Sequence, residues 1–529
     1  MKSLGRSMGV VILLASVAYG ASDGRISGTV KDPQGAPLKG AFVRARSASR
    51  SKITVSVLSD KQGRYHFENL PPGGYQVQAT AIGYKSDPAA GVNVAEGKSA
   101  SFDFALQKGM VRWSDLSNAQ GRALLPEGKG KEAWFAQCFI CHGFQTRIAA
   151  KRRNEAGWVA AVNMMRTAMR FNLGFTLKDQ EAADITSYLN AMFGEGSKLP
   201  QSPAELPGYK ETVRPFSDEA MKIVYVDYDL PKPDSFPFSG APDKDGKIWI
   251  PEFGNANRIG RLDPNTGEIQ EFAVPNQGSD GIHSAVPGPD GTVWFAEQGT
   301  NKLGKWDPKT QKITEYQATY PPGLEGMLQG GSKHTSRVDL NGNVWSSGYP
   351  LSKFDPKTEK FTDYPEARHS YSPCVDAEGN VWVTLSGESE FAKIDAKTGK
   401  LTKWPTPTPK SYPRRIEVDH DGMVWIGEFL TGKLARFDPK TETFKEYVLP
   451  GPDPTPYALG FDRNNQVWYS SHNQDTIGRL DPKTGKVTEY PLPYPDNAIK
   501  EFLIDSQGRM WFGTPPNNKV GYFILPNGG

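Results

Sequence analysis

Asp290-Gly291-Thr292-Val293-Trp294-Phe295-Ala296-Glu297 reads as a turn followed by a short strand: an Asp-Gly pair to reverse the chain, then an apolar run closed by an acid. The pattern, approximately Asp-Gly-x-Val-Trp, recurs with tryptophans at 249, 294, 345, 382, 425, 468 and 511. The intervals are 45, 51, 37, 43, 43 and 43 residues, the period of a four-stranded propeller blade. A second turn, Asp-Pro-x-Thr, falls between them at Asp263, Asp307, Asp355, Asp438 and Asp481, with Asp395-Ala396 as a variant. Each leads into a strand such as Val487-Thr488-Glu489-Tyr490. The last repeat ends at Gly521-Tyr522-Phe523 without such a strand, and Val224-Tyr225-Val226-Asp227-Tyr228 is available to replace it. Pairing the two closes the ring and removes a free sheet edge. Residues 222–527 are therefore predicted to form a seven-bladed β-propeller.

In a propeller the first strand of each blade lines the axis. Eleven positions before each tryptophan stand Phe238, His283, His334, Tyr371, Arg414, Tyr457 and Lys500. Polar and aromatic side chains at every such position predict a binding or catalytic hub rather than apolar filler. Glu252, Glu297 and Glu428, three residues after their tryptophans, are expected to face the same mouth; surface strand-end acids are the alternative. His66 is expected in packing or at the surface, His369, His420 and His472 at the surface, and Cys374 as a buried filler.

A different chemistry is written at Cys138-Phe139-Ile140-Cys141-His142. Two thiols three residues apart can form thioethers to the haem vinyl groups, and the following histidine can bind the iron from below. Zinc would need a second Cys/His pair at ligand spacing, and none follows. Gly130–Cys138 is predicted as a helix leading into the motif, Asn154–Met169 as a second, and a third starts at Thr176 as its cap. Trp158, Val162 and Met165 share a face of the second helix, Met169 lies one turn further on, and Met164 points elsewhere. A thioether from one of these three is the expected sixth ligand, with Met165 preferred. Residues 113–196 with Gly143 after the motif, Trp158-x-x-x-Val162-x-x-Met165 and Ile185-x-x-Tyr188-Leu189 resemble the small c-type cytochrome domains appended to periplasmic oxidoreductases.

Residues 24–107 read as short alternating strands broken by turns, a β-sandwich. Gly28-Thr29-Val30, Pro37-Leu38, Gly40-Ala41, Asp60 to Tyr65, Leu70 to Tyr75 and Gly83-Tyr84 resemble the carboxypeptidase-regulatory-like domains, which implies a spacer or adhesion module with a carbohydrate-binding-like fold. Residues 197–221, proline-rich and without apolar periodicity, are predicted as an extended linker. The chain thus reads as multidomain, as 529 residues require: a sandwich, a small all-α cytochrome c domain and a propeller.

Lys2 and Arg6 before the apolar run Val10–Val17, with Ala18-Tyr19-Gly20 after it, predict a signal peptide over 1–20. A retained anchor is the alternative, and no later run is long enough to span a membrane. A periplasmic or secreted protein follows, the compartment in which haem is attached to such motifs. A net charge of +3 without a basic block excludes a nucleic-acid binder.

The propeller repeats, with Asn301-Lys302-Leu303-Gly304, resemble those of the streptogramin (virginiamycin B) lyases. That resemblance implies elimination across a lactone: a histidine takes the proton α to the carbonyl and a Mg²⁺ ion polarises it. His283 with Glu297 matches the family's histidine and acid, and His334 supplies a second histidine. The blade of His334 reads Trp345-Ser346-Ser347-Gly348 and lacks the matching acid. The expected function is an exported haem c electron-transfer protein whose propeller binds or transforms a small molecule through Tyr371, Arg414, Tyr457 and Lys500, and which passes electrons to a redox partner protein. A Mg²⁺-dependent lyase and a non-catalytic binding propeller are the alternatives.

Overall fold

The computed structural model describes residues 23–526 apart from 51, 86–88, 140–141, 174–175, 255, 276–280 and 320–332. The expected signal peptide and Cys141 lie outside the described residues. The chain builds a β-sandwich, a helical unit and a ring of repeated four-stranded sheets.

In the sandwich, Gly24–Lys31 pairs antiparallel with Arg64–Leu70 and parallel with Ser99–Ser101 and Phe104–Ala105. The facing sheet runs Ile53–Leu58, Phe42–Ser47, Gly73–Thr80, Ala90–Val94. Alternation puts Ile26, Val30, Val43, Phe67 and Val77 between the sheets, fully buried.

The ring holds seven four-stranded sheets. Blades 1 to 6 begin with the strands Ala241–Pro242, Ile282–Pro287, Ser336–Val338, Ser370–Val375, Pro413–Val418 and Pro456–Phe461. Blade 7 consists of Leu503–Ile504, Met510–Thr514 and Lys519–Ile524, and its outer strand is Val224–Asp229, with Tyr522 opposite Val226. The closing strand is thus the one expected from the sequence. First strands of successive blades pack side by side, and that of blade 1 packs on that of blade 7. Val224–Asp229 does more than close the ring. Its other edge pairs with Ile53–Leu58, Val55 opposite Val226, so the sandwich continues the blade 7 sheet and covers the edge left at the closure.

Six of the seven blades are fastened by an aspartate six residues before the tryptophan. Its carboxylate accepts the indole N–H, at 3.0 Å from Asp243 to Trp249 and at 2.8–2.9 Å in blades 3 to 7. The other oxygen accepts backbone N–H groups two and four residues on, as Asp419 does from Asp421 and Met423. One side chain therefore shapes the turn and anchors the buried ring. Blade 2 has Gly288 at that position.

The helical unit comprises α1 (Asn118–Leu124), α2 (Lys131–Cys138), α3 (Glu155–Leu173) and α4 (Asp179–Phe193). Trp134, Phe139, Phe144, Trp158, Ile185 and Tyr188 form its core. The predicted Thr176 cap is not made: its hydroxyl donates to the Arg166 carbonyl of α3, and α4 starts later, with Glu181 accepting the Lys178 N–H. Helix α1 escaped the periodicity because it is only 7 residues long. The segment 197–221 is not extended throughout; it contains helical turns at Pro203–Glu205, Tyr209–Thr212 and Ala220–Lys222. Its Arg214 forms an ion pair with Glu489 of blade 6. Among the described residues no helix is long and apolar enough to cross a membrane.

Candidate functional site

The residues eleven positions before the tryptophans meet at the axis in a closed circuit. Phe238 lies 4.8 Å from the His283 ring, which lies 3.5 Å from that of His334. His334 is 4.4 Å from the ring of Tyr371, whose hydroxyl is hydrogen-bonded to that of Tyr457. The Arg414 guanidinium covers both tyrosines, 4.5 Å from Tyr371 and 5.1 Å from Tyr457. The Lys500 ammonium closes the circuit, 5.8 Å from the Tyr457 ring and 4.6 Å from that of Phe238. The cause is local. In blades 2, 4, 5 and 6 the pairing of first and second strands slips between Ile282 and Ser284, Ser370 and Pro373, Pro413 and Ile416, and Pro456 and Leu459. The hub residue sits inside each slip, and a bulge of this kind re-aims its side chain.

Beneath this ring lies a buried ionic network. Arg337 donates to Glu501 at 2.7 Å, and Arg415 approaches the same carboxylate at 3.3 Å. Arg415 also donates to Thr335, Ser372 and the Lys500 carbonyl. Burial raises the Glu501 carboxyl, but Arg415 and Arg337 overcome it and hold it down at about 2. Glu417 has Arg337 at 3.4 Å, yet burial pushes it up to about 7. Burial, followed by the charge of Arg415, Lys500 and Arg414, keeps His283 well below the usual imidazole range, and His334 behaves alike. Both imidazoles are neutral.

The three acids expected at the mouth stand one strand out from the hub, Glu252 opposite Pro237, Glu297 opposite Ile282 and Glu428 opposite Pro413. Glu297 accepts a hydrogen bond from Thr300 at 3.2 Å and lies beside Glu315 of the outer strand; burial and that neighbour raise it to about 8. Glu252 with Glu271 and Arg258, and Glu428 with Glu446 and Lys433, repeat the arrangement. The acid ends the second strand and turns along its own sheet toward an acid two strands out, with a base between. Glu297 thus stands across the strand pair from Ile282, the neighbour of His283, with its carboxylate bonded to Thr300.

His472 corrects the sequence reading most. It is buried, 6 % exposed, with its ring 6.0 Å from that of Tyr457 and 6.4 Å from that of Phe429. Burial, then Lys500, His142 and Arg414, push it down to about 3, and the Phe139 main chain lies beside it. Phe139, His142 and the residues that follow are therefore docked on the propeller next to the hub. Gly143 N–H donates to Asp496 at 2.9 Å, Thr146 to the same carboxylate, Gln145 to Asp475 at 2.7 Å, and Asn118 to Asn473 at 3.2 Å. At Gly143 a Cβ would lie 2.0 Å from the Gln145 amide oxygen and 2.9 Å from Asp496, so these side chains would have to shift out of their bonds. His369, bonded to Glu388, and His420 are exposed, and Cys374 is buried as expected.

Within the helical unit, His142 places Nδ1 2.7 Å from the Gly143 carbonyl, so Nδ1 carries the proton and the lone pair of Nε2 faces outward. That Nε2 lies 3.4 Å from Met165 Sδ. Met164 is 59 % exposed and Met169 is buried in the helical core, so of the three methionines Met165 alone faces the histidine. Cys138, His142 and Met165 line one cavity of about 180 Å³ with Trp158, Arg147 and Arg153 on its wall. The indole N–H of Trp158 is buried without an acceptor, and Arg153 lies over its ring at 4.8 Å.

Residues 220–332 and 358–527, more than half of the chain, match the virginiamycin B lyase family. The chain belongs to that family. Residues 25–107 match the carboxypeptidase regulatory-like domain. The part of the lyase family's pattern left out, 333–357, is the blade of His334, the same blade that lacks the acid. Among solved structures, a streptogramin B lyase is 26 % identical over 58 % of this chain and all of its own, with a TM-score of 0.52. The virginiamycin B lyase of Staphylococcus aureus, 22 % identical over 57 % of this chain and 99 % of its own, shares the fold with a TM-score of 0.51. A catalytically inactive histidine-to-alanine form of it with quinupristin aligns over the same extent. No curated protein matches the chain. Membership covers the propeller; neither the sandwich nor the helical unit belongs to the lyase match.

Among the described residues, the carboxylates nearest the axis are held by Arg337 and Arg415 or stand one strand out in the blades, and the groups facing the axis are imidazoles, phenols and two cations, a set poor in donors for the Mg²⁺ that the lyase resemblance implies. Among the described residues no three His, Cys, Asp or Glu side chains gather as a metal site.

Proposed function

We propose that this chain is an exported haem c electron-transfer protein in which the lyase-like propeller binds a small molecule at its hub. The observation that carries this reading is the docking of Phe139, His142 and the residues that follow against blades 6 and 7, with His472 between them and Tyr457. The helical unit fits the cofactor by its own chemistry. The Gly143 carbonyl fixes the His142 tautomer that leaves the Nε2 lone pair to bind iron, and Met165, facing that nitrogen, would offer a soft thioether as a second ligand. Cys138 and Cys141 would form the thioethers. The unpartnered Trp158 N–H and the cations Arg147 and Arg153 suit the propionates. A haem held in this way supplies one-electron transfer at a potential raised by methionine ligation. Cys138, Cys141 and His142 would hold it, and Asp475 and Asp496 tie this part of the helical unit to the propeller beside the hub.

The pyridine haemochrome spectrum of protein exported by a haem-ligating host is the test. The expected result is covalent haem c that survives acid–acetone extraction, with a shifted haemochrome in Cys138→Ser and loss of the methionine-to-iron absorbance in Met165→Ala but not in Met164→Ala or Met169→Ala. Colourless protein would overturn the reading.

Elimination is the second reading, favoured by one observation: two neutral imidazoles 3.5 Å apart beside Arg414 and Lys500. One imidazole could take an α proton while the cations hold the enolate oxygen, without a metal. Opening of a streptogramin B lactone that is lost in His283→Ala would support it.

A further inference from the structure

The strand that closes the ring carries a buried acid at the point where sandwich and propeller meet. Asp227 stands opposite Thr54 of the sandwich on one edge of Val224–Asp229 and opposite Gly521 of blade 7 on the other. It is 1 % exposed, and among the described residues neither of its oxygens has a hydrogen-bond partner. The carboxyl leans over Gly521, where a Cβ would lie 2.7 Å from Oδ1. Strand alternation puts Asp227, Asp229, Thr54, Ser56, Arg44, Arg46 and Lys519 on the same face of this continuous sheet.

The cations on that face are committed elsewhere. Lys519 and Arg46 both bond Asp229, Arg46 at 2.7 Å. Arg44 donates from Nη2 to the Pro493 carbonyl, and its Nε is buried without a partner. The Ser56 hydroxyl, one strand from Arg44, is buried and unpartnered as well. Buried polar atoms are ordinarily paired, so a carboxyl, a guanidinium nitrogen and a hydroxyl left over on one face mark a junction with a second arrangement within reach.

What Arg44 holds gives that arrangement its consequence. The Tyr494 ring covers the face, 4.5 Å from the Arg44 guanidinium and 5.1 Å from the Lys519 ammonium. Pro493 and Tyr494 belong to the connection from blade 6 to blade 7. The same connection carries Asp496, which accepts from Gly143 and Thr146 of the helical unit, and Lys500 of the hub ring. Asp496 and Ala498 have φ of +55° and +49°, a conformation that non-glycine residues keep only while their surroundings hold it.

We propose that Asp227 and Arg44 form a proton-operated latch: with Asp227 neutral, Arg44 holds the Pro493 carbonyl and so the loop on which the helical unit docks; with Asp227 ionised, the guanidinium turns to the carboxylate and the loop is released. The proton leaves to solvent, and the guanidinium exchanges a neutral acceptor for a charged one, the stronger partner. Burial raises the Asp227 carboxyl, Lys519 and Arg44 oppose it and Asp229 adds to it, which leaves it at about 7. Arg46, Tyr225, Tyr228 and Tyr494 complete the charged and titratable groups around it, and burial pushes the three phenols up, away from that range. The folded state holds this proton more tightly than the unfolded chain, so the stability it contributes is present at low pH and lost as pH rises from 3.8 through 7. The sandwich then does more than space the domains: it couples pH to the seating of the helical unit, whatever that unit carries.

Two readouts on the full chain test it between about pH 5.5 and 8.5. Fluorine NMR of para-fluorophenylalanine in place of Tyr494 follows the latch. Amide exchange at 143–149, normalised to the unstructured rate at each pH, follows the docking. The resonance is expected to move with a midpoint near 7, and exchange to quicken about fivefold or more as pH rises. Asp227→Asn should keep both at their low-pH values, and Arg44→Gln should give fast exchange at both ends of the range. Asp475 of the docking surface is itself raised to about 7, by burial and by Asp496, so Asp475→Asn is the control and should keep both responses. A resonance indifferent to pH, a response that survives Asp227→Asn, or one lost in Asp475→Asn overturns the proposal. Should Asp227→Asn fail to fold in a thermal melt, Arg44→Gln decides: slow, wild-type exchange at low pH in that variant refutes the latch.

Discussion

Two registers of one repeat behave in opposite ways. At the tryptophan position all seven blades carry the same residue, and in six of them an aspartate six residues earlier holds its indole N–H. Eleven residues before the tryptophan the same seven blades carry phenylalanine, histidine, tyrosine, arginine and lysine. The first register meets the same surroundings in every blade, namely the turn and the neighbouring sheet, so one answer serves seven times. The second faces the axis, where each side chain meets different counterparts from other blades, as the Tyr371 ring meets His334, Tyr457 and the Arg414 guanidinium. Repetition therefore marks the framework, and its loss marks the site.

The contrast can be broken from the framework side first. Trp425 is fully buried, stacked on Tyr447 at 5.3 Å and bonded to Asp419 at 2.8 Å. Trp425→Ala should cost about 3–5 kcal/mol, read as a lowered denaturant midpoint, while Tyr371→Phe in the hub should cost far less. Equal losses would mean that the hub is framework too.

Next in size is the acid that both arginines share. Glu501→Gln leaves Arg337 and Arg415 buried around a neutral amide, at roughly 3–5 kcal/mol. The pH dependence has a definite sign. A carboxyl held at about 2 in the fold and at its ordinary 4.5 when unfolded contributes stability above pH 4.5, lost as pH falls toward 2. Wild type should lose roughly 3 kcal/mol over that window, and the glutamine variant should lack that limb of the curve. Urea midpoints between those pH values measure it.

Much of this architecture was legible from spacing alone. The tryptophan period gave the blades, the missing last strand gave the closure by Val224–Asp229, and the position eleven residues back gave the hub. What stayed hidden had no local signature. His472 follows a strand as an ordinary polar residue would, and only the docking of Gly143 and Gln145 on Asp496 and Asp475 buries it. The Asp–Trp pairing was visible at a constant six-residue offset but was masked by the Asp-Gly turn four residues before the tryptophan. The sandwich edge on Val224–Asp229 involves strands more than 160 residues apart in sequence, a contact that periodicity cannot report.

A smaller effect separates the docking from both registers. Asp496→Asn keeps the shape but weakens the bonds from Gly143 and Thr146, at about 1–2 kcal/mol. The loss should be confined to that interface: amide exchange at 143–149 should quicken while the blade strands stay protected. Uniform acceleration across the blades would make the docking part of the global fold.

The smallest expected change concerns Glu297, where the lyase resemblance and the structure part company. An acid needed at the hub would make Glu297→Gln inactive toward any hub ligand. In its blade, however, Glu297 is raised to about 8 by burial and by Glu315, so near pH 7 it already carries the proton that a glutamine amide imitates. Stability at that pH should change by less than about 0.5 kcal/mol. The sign across pH is opposite to that of Glu501. The folded state holds the proton more tightly than the unfolded chain, so wild type loses stability as pH rises from 4.5 through 8, and the glutamine variant should gain on it over that range. Parallel curves for the two proteins, or lost hub binding in the variant, would return Glu297 to the axis.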